Sequence, residues 1–231
     1  MTGKKNINMR KTFFTILSLI SFSLLYCQNV IRVNEANNDI YYKINSKGAG
    51  RQLNYDEISG SPYLTKDFSL AKVGDNYEKA PVRYNSYRDD IEFQKDGKTL
   101  VLPKEAQLSR IEIFSPKQTL VLLETHDDLD GYFFELVNGK NSLYKKVKTK
   151  FIDVVPAANS FTTEKPANFR TQEPVYYIKT EKGFIKKPKN VSDITDQLAD
   201  KKSAIESFVK SNKIKFSKEE DLIKLVNFLN Q

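Results

Sequence analysis

Cysteine, tryptophan and histidine are almost absent from this chain of 231 residues, which has one cysteine, one histidine and no tryptophan. Cys27 has no second cysteine with which to form a disulfide. If Cys27 is removed by processing, a cysteine nucleophile and a cysteine-bound zinc are excluded as well. Any Ser-His-Asp triad would need His126 as its base, because the chain offers no other histidine.

Signature motifs of several enzyme classes are also missing. The sequence contains no G-x-S-x-G elbow, no P-loop and no G-x-G-x-x-G. Ser142–Lys145 and Ser207–Lys210 match S-x-x-K, but the S-D-N and K-T-G motifs that accompany it in known enzymes are absent. Hydrolysis by two carboxylates stays open, since such a pair needs no fixed spacing in sequence. No cofactor is expected.

The N-terminal segment is first positively charged and then apolar. Arg10 and Lys11 precede an apolar run of 14 residues, Phe13–Tyr26, and polar Gln28 follows shortly after. A membrane-spanning helix needs about 20 residues. The layout therefore predicts a secretory signal peptide over residues 1–27, a periplasmic or extracellular location, and no transmembrane span in the mature chain. A buried core helix is the alternative interpretation.

Processing at the end of this segment can take two forms. Simple cleavage after Cys27 places Leu25 at the −3 position. Lipid anchoring at Cys27 is the minor alternative: Leu24 fits a bacterial lipobox, whereas Tyr26 stands where a small residue is expected. We favour simple cleavage and a mature chain that starts at Gln28.

The net charge of +8 is unevenly distributed along the chain. Residues 1–27 contain four basic residues and no acid, so their removal lowers the charge to +4. Residues 28–131 then carry a net −3 and residues 132–231 a net +7. Because the signal segment supplies half of the positive charge, nucleic acid is not an expected partner. The basic second half could bind an anionic envelope polymer. The simpler interpretation is that the two halves form differently charged, solvated faces of a lysine-rich protein.

Short alternating runs in the middle of the chain predict β-strands joined by tight turns. The dipeptides Asp96-Gly97, Asn138-Gly139 and Lys182-Gly183 each lie between two such runs and predict hairpins, because glycine readily adopts a positive φ. Consecutive hairpins favour an antiparallel meander. Tyr41 and Tyr42 suggest a further strand, and residues 154–173 have no clear period although part of this stretch can hold a strand.

The strand after Asn138-Gly139 is predicted to be amphipathic. Its apolar side contains Leu143, Val147 and Phe151, and its polar side contains Lys146, Lys148 and Lys150. A row of lysines can contact an anionic polymer or lipid head groups, and it can also protect a sheet edge from aggregation. We favour protection of an edge.

The last forty residues change character, with no glycine or proline from Ser192 onward. The apolar period predicts two helices, over 192–212 and 218–230. Ser217 and Glu220 match a capping box at the start of the second helix. The apolar stripe of that helix is Leu222, Leu225, Val226 and Leu229. The sequence thus predicts an α+β fold, with an antiparallel β-meander-rich domain over 28–190 and a C-terminal helical hairpin over 191–231 packed on it.

Three blocks of the sequence carry a likeness to known proteins. They are Gly60–Leu64, Arg83–Phe93 and the helical tail that follows Tyr176–Lys179. Together these blocks resemble uncharacterised small exported proteins of Gram-negative bacteria, for which no function is assigned. The resemblance covers most of the mature chain and implies export, without implying any catalytic residue.

Two groups of residues are candidate sites. Arg83, Tyr84, Tyr87 and Arg88 form the densest aromatic and charged cluster, and tyrosine and arginine favour binding surfaces; packing of Tyr84 in the core is the alternative. His126, Asp128 and Asp130 could bind a divalent metal. The EF-hand alignment of this second group fails, because Val137 stands where a bidentate Glu is needed. A polar hairpin loop is its alternative interpretation.

The leading hypothesis is an exported cell-envelope protein that acts without catalysis, as a binding or interaction module for another envelope protein or an anionic envelope polymer. It combines strong signs of export with the absence of catalytic motifs. The alternative hypothesis is a secreted carboxylate-dependent hydrolase that acts on polysaccharide or peptide.

Overall fold

The computed structural model describes residues 42–75 and 79–231. The predicted signal peptide, Cys27, Gln28 and Tyr41 lie outside the described residues. Antiparallel strands are the main regular structure of the described chain, and a few helices lie at the C-terminus, as the predicted α+β class requires.

Fourteen strands form one large sheet and two small ones. The strands are β1 (Lys43–Ser46), β2 (Arg51–Asn54), β3 (Ser69–Val73), β4 (Lys79–Asn85), β5 (Asp90–Lys95), β6 (Lys98–Val101), β7 (Arg110–Ile113), β8 (Gln118–Leu123), β9 (Gly131–Val137), β10 (Ser142–Lys146), β11 (Thr149–Ile152), β12 (Asn168–Thr171), β13 (Val175–Thr180) and β14 (Gly183–Lys186). Short 3-10 helices span Tyr55–Glu57, Ala106–Leu108 and Ala199–Lys201.

The large sheet consists of two meanders placed side by side. Its ten strands have the order β14-β13-β10-β9-β8-β7-β3-β4-β5-β6. Strands β3 to β6 form the first meander and β7 to β10 the second, and the pairing of β7 with β3 joins them. The β1–β2 and β11–β12 hairpins form the two small sheets. Strand β12 lies within the stretch 154–173 that has no clear sequence period.

The three predicted hairpins are present, with one turn displaced by a residue. Asp96 and Gly97 both have positive φ, 50° and 73°, and connect paired Lys95 and Lys98; this is the geometry of a type I′ turn. Asn138-Gly139 opens a four-residue connection between β9 and β10, in which Gly139 lacks the expected positive φ, so the hairpin is present but the predicted tight turn is not. In the third hairpin, Thr180 pairs with Gly183, so the turn is Glu181-Lys182 and Gly183 already belongs to β14.

The main core covers one face of the large sheet. It is built from inward-facing residues of both meanders, among them Val82, Ile111, Leu120 and Phe134. Leu136 packs against this core and also against the helical cluster, so the two are continuous on the same face. The remaining buried aromatic residues of β9, β10 and β13 form a separate cluster made by Phe133, Tyr144 and Tyr177.

The C-terminal segment contains three helices, and the predicted continuous helix over 192–212 is wrong. Helix α1 spans Ser192–Thr195, α2 spans Lys202–Ser211 and α3 spans Glu219–Leu229. The chain leaves helical geometry at Leu198, where φ is −116° and ψ is 53°. The apolar period continues across this break, because Ile194 and Ile205 bury in the same cluster. The period therefore could not show the break.

Helix α3 packs as predicted but starts differently. Leu222, Leu225, Val226 and Leu229 are all buried against β-strand residues such as Leu143, which confirms the predicted stripe. The predicted capping box is wrong: the N-cap residue is Lys218, and no side chain caps it. Ser217 lies one position too early for this role. Glu219 in the first turn instead contacts Lys145 of β10 at 2.9 Å.

Candidate functional site

The four predicted binding residues lie on strand β4 and in the turn after it, and they occupy three different places in the fold. Arg83 and Tyr84 are neighbours on β4, so their side chains point to opposite faces of the sheet. Tyr87 and Arg88 lie in the turn between β4 and β5. The four residues therefore do not form one continuous surface.

Arg83 forms a buried ion pair with Glu92 on the neighbouring strand. Its Nε and Nη2 atoms lie 2.7 and 2.6 Å from Glu92 Oε2, and the Glu92 side chain is 1% exposed. The guanidinium lies between the rings of Tyr63 and Phe68, 4.0 and 4.4 Å from their centroids. It also donates to the Lys66 carbonyl. Arg83 thus fixes the segment 63–68 against β4.

Tyr63 and Asn85 complete the hydrogen bonding of Glu92. The Tyr63 hydroxyl donates to Glu92 Oε1 at 3.2 Å, and the Asn85 amide donates to the same oxygen at 3.0 Å. Burial, followed by the charge of Glu92, raises the pKa of Tyr63 above its usual value. Because the carboxylate of Glu92 is saturated with donors, its role is to hold the structure together.

Tyr84 belongs to a second buried network, centred on Asp89. Lys146 Nζ and the Tyr84 hydroxyl each donate to Asp89 Oδ1 at 2.7 Å. The Tyr132 backbone N–H donates to the same carboxylate. Asp89 has a φ of 58°, and its carboxylate occupies the space where a side chain on Gly131 would lie, since a Cβ there would meet Asp89 Oδ2 at 1.7 Å.

The predicted polar face of strand β10 is wrong at Lys146. It is 1% exposed and lies 4.8 Å above the Phe133 ring, whereas Lys148 and Lys150 belong to the segment beyond the end of β10. Burial lowers the pKa of Lys146, and the negative charge of Asp89 opposes that shift. A buried lysine keeps its charge only beside such a partner. Lys146 therefore serves the core and does not protect an edge.

The other two predicted binding residues have structural contacts. The ring of Tyr87 packs edge-on against Phe169, with centroids 5.3 Å apart. Arg88 pairs with Asp90 at 3.3 Å on the protein surface. Asn85 Oδ1 accepts from the backbone N–H groups of both Tyr87 and Arg88, which fixes the turn.

The predicted metal-binding residues lie in the loop between β8 and β9, and the structure does not bring them together around a common point. His126 is exposed, with a φ of 60°. Asp128 pairs with Lys186 at 2.8 Å, and Asp130 accepts from the Thr125 N–H at 2.7 Å. Within residues 42–75 and 79–231, no group of three His, Cys, Asp or Glu side chains is arranged to hold a metal ion.

A small cleft that is open to solvent adjoins the Arg83 network. Its floor is apolar and belongs to the main core: Val82, Ile113, Leu120 and Phe134. Leu64 and Pro116 extend the apolar surface, and Thr65, Asp67, Ser69 and Gln118 provide the polar rim. Ligand sites commonly combine an apolar floor with a few polar groups.

The cleft suits an apolar group of a partner better than hydrolytic chemistry. Asp67 is the sole carboxylate among the described residues that line it. A glycosidase needs two carboxylates on either side of the scissile bond. Glu92, the nearest buried carboxylate on β5, is already occupied by Arg83.

Sequence reasoning identified Arg83 and Tyr84, which line the cleft, but missed the cleft itself. Its other lining residues come from the 64–69 segment, from the β7–β8 turn and from β9, which are distant in sequence. The block Gly60–Leu64 was identified only as part of the resemblance to exported proteins, and not as part of a site. The cleft could be predicted only if the pairing of β7 with β3 were already known.

Comparisons with known proteins found no match to this chain. No family model matches the chain, and neither a curated protein nor a solved structure matches it. Among the residues that the structure describes, no helix is both long enough and apolar enough to cross a membrane. Function is therefore inferred from the site and the sequence.

Proposed function

We propose that this protein is an exported binding module of the cell envelope that acts without catalysis and takes up an apolar group of another envelope component in the cleft. The cleft carries this proposal, since apolar Leu64, which is 42% exposed, lines it together with the buried core residues Leu120 and Phe134. Its rim supplies hydroxyl and amide groups from Ser69 and Gln118. Such a site binds by shape and burial and has no need of a reactive side chain.

The Arg83–Glu92 ion pair supports this proposal, because Arg83 fixes the 63–68 segment, which contributes Leu64 and Asp67 to the wall of the cleft. Arg83 lines the cleft and also contacts Tyr63, Phe68 and the Lys66 carbonyl. A wall that is fixed before binding loses less conformational entropy when a partner arrives. We therefore expect the partner to present a small apolar group.

Export is the second part of the proposal and rests on the N-terminal sequence. The charged and then apolar layout of residues 1–27 supports cleavage after Cys27. N-terminal sequencing of the protein recovered outside the cytosol should give Gln28 as the first residue. A first residue beyond position 35, or an acylated Cys27, would contradict simple cleavage.

Binding through the cleft is tested by blocking it. Gln118 is exposed on the rim, so Gln118→Trp should place an indole across the opening without disturbing the core. Gln107→Trp is the matched control, because Gln107 is exposed and does not line the cleft. Affinity capture from an envelope extract should recover one component with the wild-type protein and with Gln107→Trp, and should lose it with Gln118→Trp. Equal recovery with all three proteins would contradict the proposal.

A further inference from the structure

The β11–β12 hairpin carries the most exposed apolar residue of the described chain. Phe161 is 99% exposed, in the connection between the two strands. Val155 and Ile152 on the same hairpin are 51% and 37% exposed. These three account for half of the six large apolar residues that are exposed in residues 42–75 and 79–231. Such a concentration at one tip marks a contact surface.

The turn that presents Phe161 is held by its own hydrogen bonds. The Phe161 N–H donates to Asn159 Oδ1 at 3.0 Å. The Ala158 and Asn159 N–H groups donate to Thr162 Oγ1 at 2.9 and 3.2 Å. Backbone N–H groups that are paired in this way can leave water at a low cost. The turn thus holds Phe161 in place at the tip before any contact is made.

Basic residues outnumber acids around this uncharged tip. Residues 155–163 contain no charged side chain; exposed Glu164 follows them, and Lys165 pairs directly across from Val155. Lys150 and Arg170 are partners in the strand register and are both exposed, so their side chains lie together on the outer face of the hairpin. Of the two acids beside the tip, Asp153 is engaged by the Lys47 and Gly48 N–H groups and by the Ser46 hydroxyl.

We propose that this hairpin docks on an anionic lipid bilayer, with Phe161 inserted among the acyl chains near the head groups and with Lys150, Lys165 and Arg170 against the lipid phosphates. Aromatic and aliphatic residues favour the membrane interface, and basic residues beside them are attracted to anionic lipid. The pairing of a fully exposed phenylalanine with a cationic rim favours lipid over a soluble polyanion, which would leave Phe161 in water. The surface shares no residue with the cleft, so the two proposals stand or fall separately.

A single tryptophan provides a direct test, because the natural chain contains none. In the full-length Phe161→Trp protein, fluorescence reports the surroundings of the tip alone, whatever other segment touches the membrane. Mixing with phosphatidylglycerol–phosphatidylcholine vesicles should shift the emission to the blue, and brominated lipid should quench it. Phosphatidylcholine vesicles alone should cause little change.

Matched variants separate insertion of the tip from other contacts. Phe114→Trp places the probe at another exposed phenylalanine, 45% exposed, and its emission should stay unchanged. Adding Lys150→Gln and Arg170→Gln to Phe161→Trp should weaken vesicle binding by about fivefold for each charge removed. The exposed Lys182→Gln and Lys189→Gln pair should leave binding unchanged.

Three results would overturn the proposal. One is an emission at position 161 that does not respond to anionic vesicles. Another is an equal response to phosphatidylcholine alone, since the cations would then have no role. The third is a blue shift that requires an envelope protein fraction in place of lipid, which would assign the hairpin to a protein partner.

Discussion

The ammonium nitrogen of Lys146 lies 2.7 Å from Asp89 Oδ1, although 57 residues separate the two in sequence. Asp89 stands in the turn of the first meander, and Lys146 ends the last strand of the second. Their ion pair therefore links the two meanders at a point away from the β3–β7 pairing.

Replacing Asp89 should destabilise the protein strongly. Asp89→Asn keeps the size of the side chain and tolerates the positive φ of 58°, so the main change is the loss of charge beside Lys146. Leaving a buried cation without its partner costs about 3–5 kcal/mol. Urea unfolding should show this loss in the free energy of unfolding.

The double variant Asp89→Asn/Lys146→Met provides the control for this prediction. Methionine fills the space of the lysine stem without a charge, so the double variant should be more stable than Asp89→Asn alone. A double variant as unstable as the single one would show that the hydrogen bonds of Asp89 to Tyr84 and Tyr132, and not the ion pair, dominate.

Gly131 should not accept a side chain. Gly131→Ala would bring a Cβ to 1.7 Å from Asp89 Oδ2 at a φ of 129°, whereas Gly183→Ala has nearly the same φ, 121°, with nothing within 4 Å. The second variant therefore measures the backbone cost alone, about 1–2 kcal/mol. Thermal unfolding should place Gly131→Ala well below Gly183→Ala. Equal midpoints would mean that the Asp89 carboxylate moves aside freely.

Helix α3 should depend on its apolar stripe and not on Ser217. Leu225 is fully buried, so Leu225→Ala should cost about 2–5 kcal/mol. Ser217 is exposed and caps no N–H group, so Ser217→Ala should change the free energy of unfolding by less than about 0.5 kcal/mol. Chemical denaturation of both variants checks this. A loss near 1 kcal/mol in Ser217→Ala, the value typical of a lost cap, would restore the capping box.

Asp127 should make stability depend on pH under acidic conditions. Burial opposes its ionisation, but bonds from the Tyr177 hydroxyl, the Leu129 N–H and Lys186 outweigh burial and lower the pKa of Asp127 to about 2. A carboxyl whose pKa falls on folding stabilises the protein above its unfolded pKa of about 3.9, and that contribution disappears as the pH drops toward the folded value.

The stability difference between wild type and Asp127→Asn should accordingly shrink as the pH is lowered from about 4 to about 2. Solvent screening limits the effect to about 1 kcal/mol. Tyr177→Phe, which removes the 2.7 Å hydrogen bond to Asp127, should reduce the same pH dependence. A difference that stays constant over this range would refute the assignment.

Local sequence signals predicted most of the strands and turns. Asp96-Gly97 forms the predicted tight turn because a two-residue hairpin with two positive φ values needs only local chemistry. The stripe around Leu225 is likewise a property of one helix. These elements were accessible because their physical causes lie within a dozen residues.

Contacts between distant segments could not be predicted in the same way. Lys146 looks like one of several solvated lysines until β10 is placed beside the turn that holds Asp89. The cleft likewise needs Leu64 of one loop and Phe134 of β9 to meet across the sheet. A single sequence does not show which strands pair, because the strand order depends on the burial of many residues at once.

Site-specific crosslinking at the rim of the cleft tests the proposed binding function most directly. The photo-crosslinking residue p-benzoylphenylalanine would replace Gln118 in one protein and the exposed Gln107, which does not line the cleft, in another, each expressed with residues 1–27 in place. After irradiation of intact cells, the proposal predicts one discrete crosslinked adduct from position 118 and none from position 107. No adduct from position 118, or the same adducts from both positions, would contradict it.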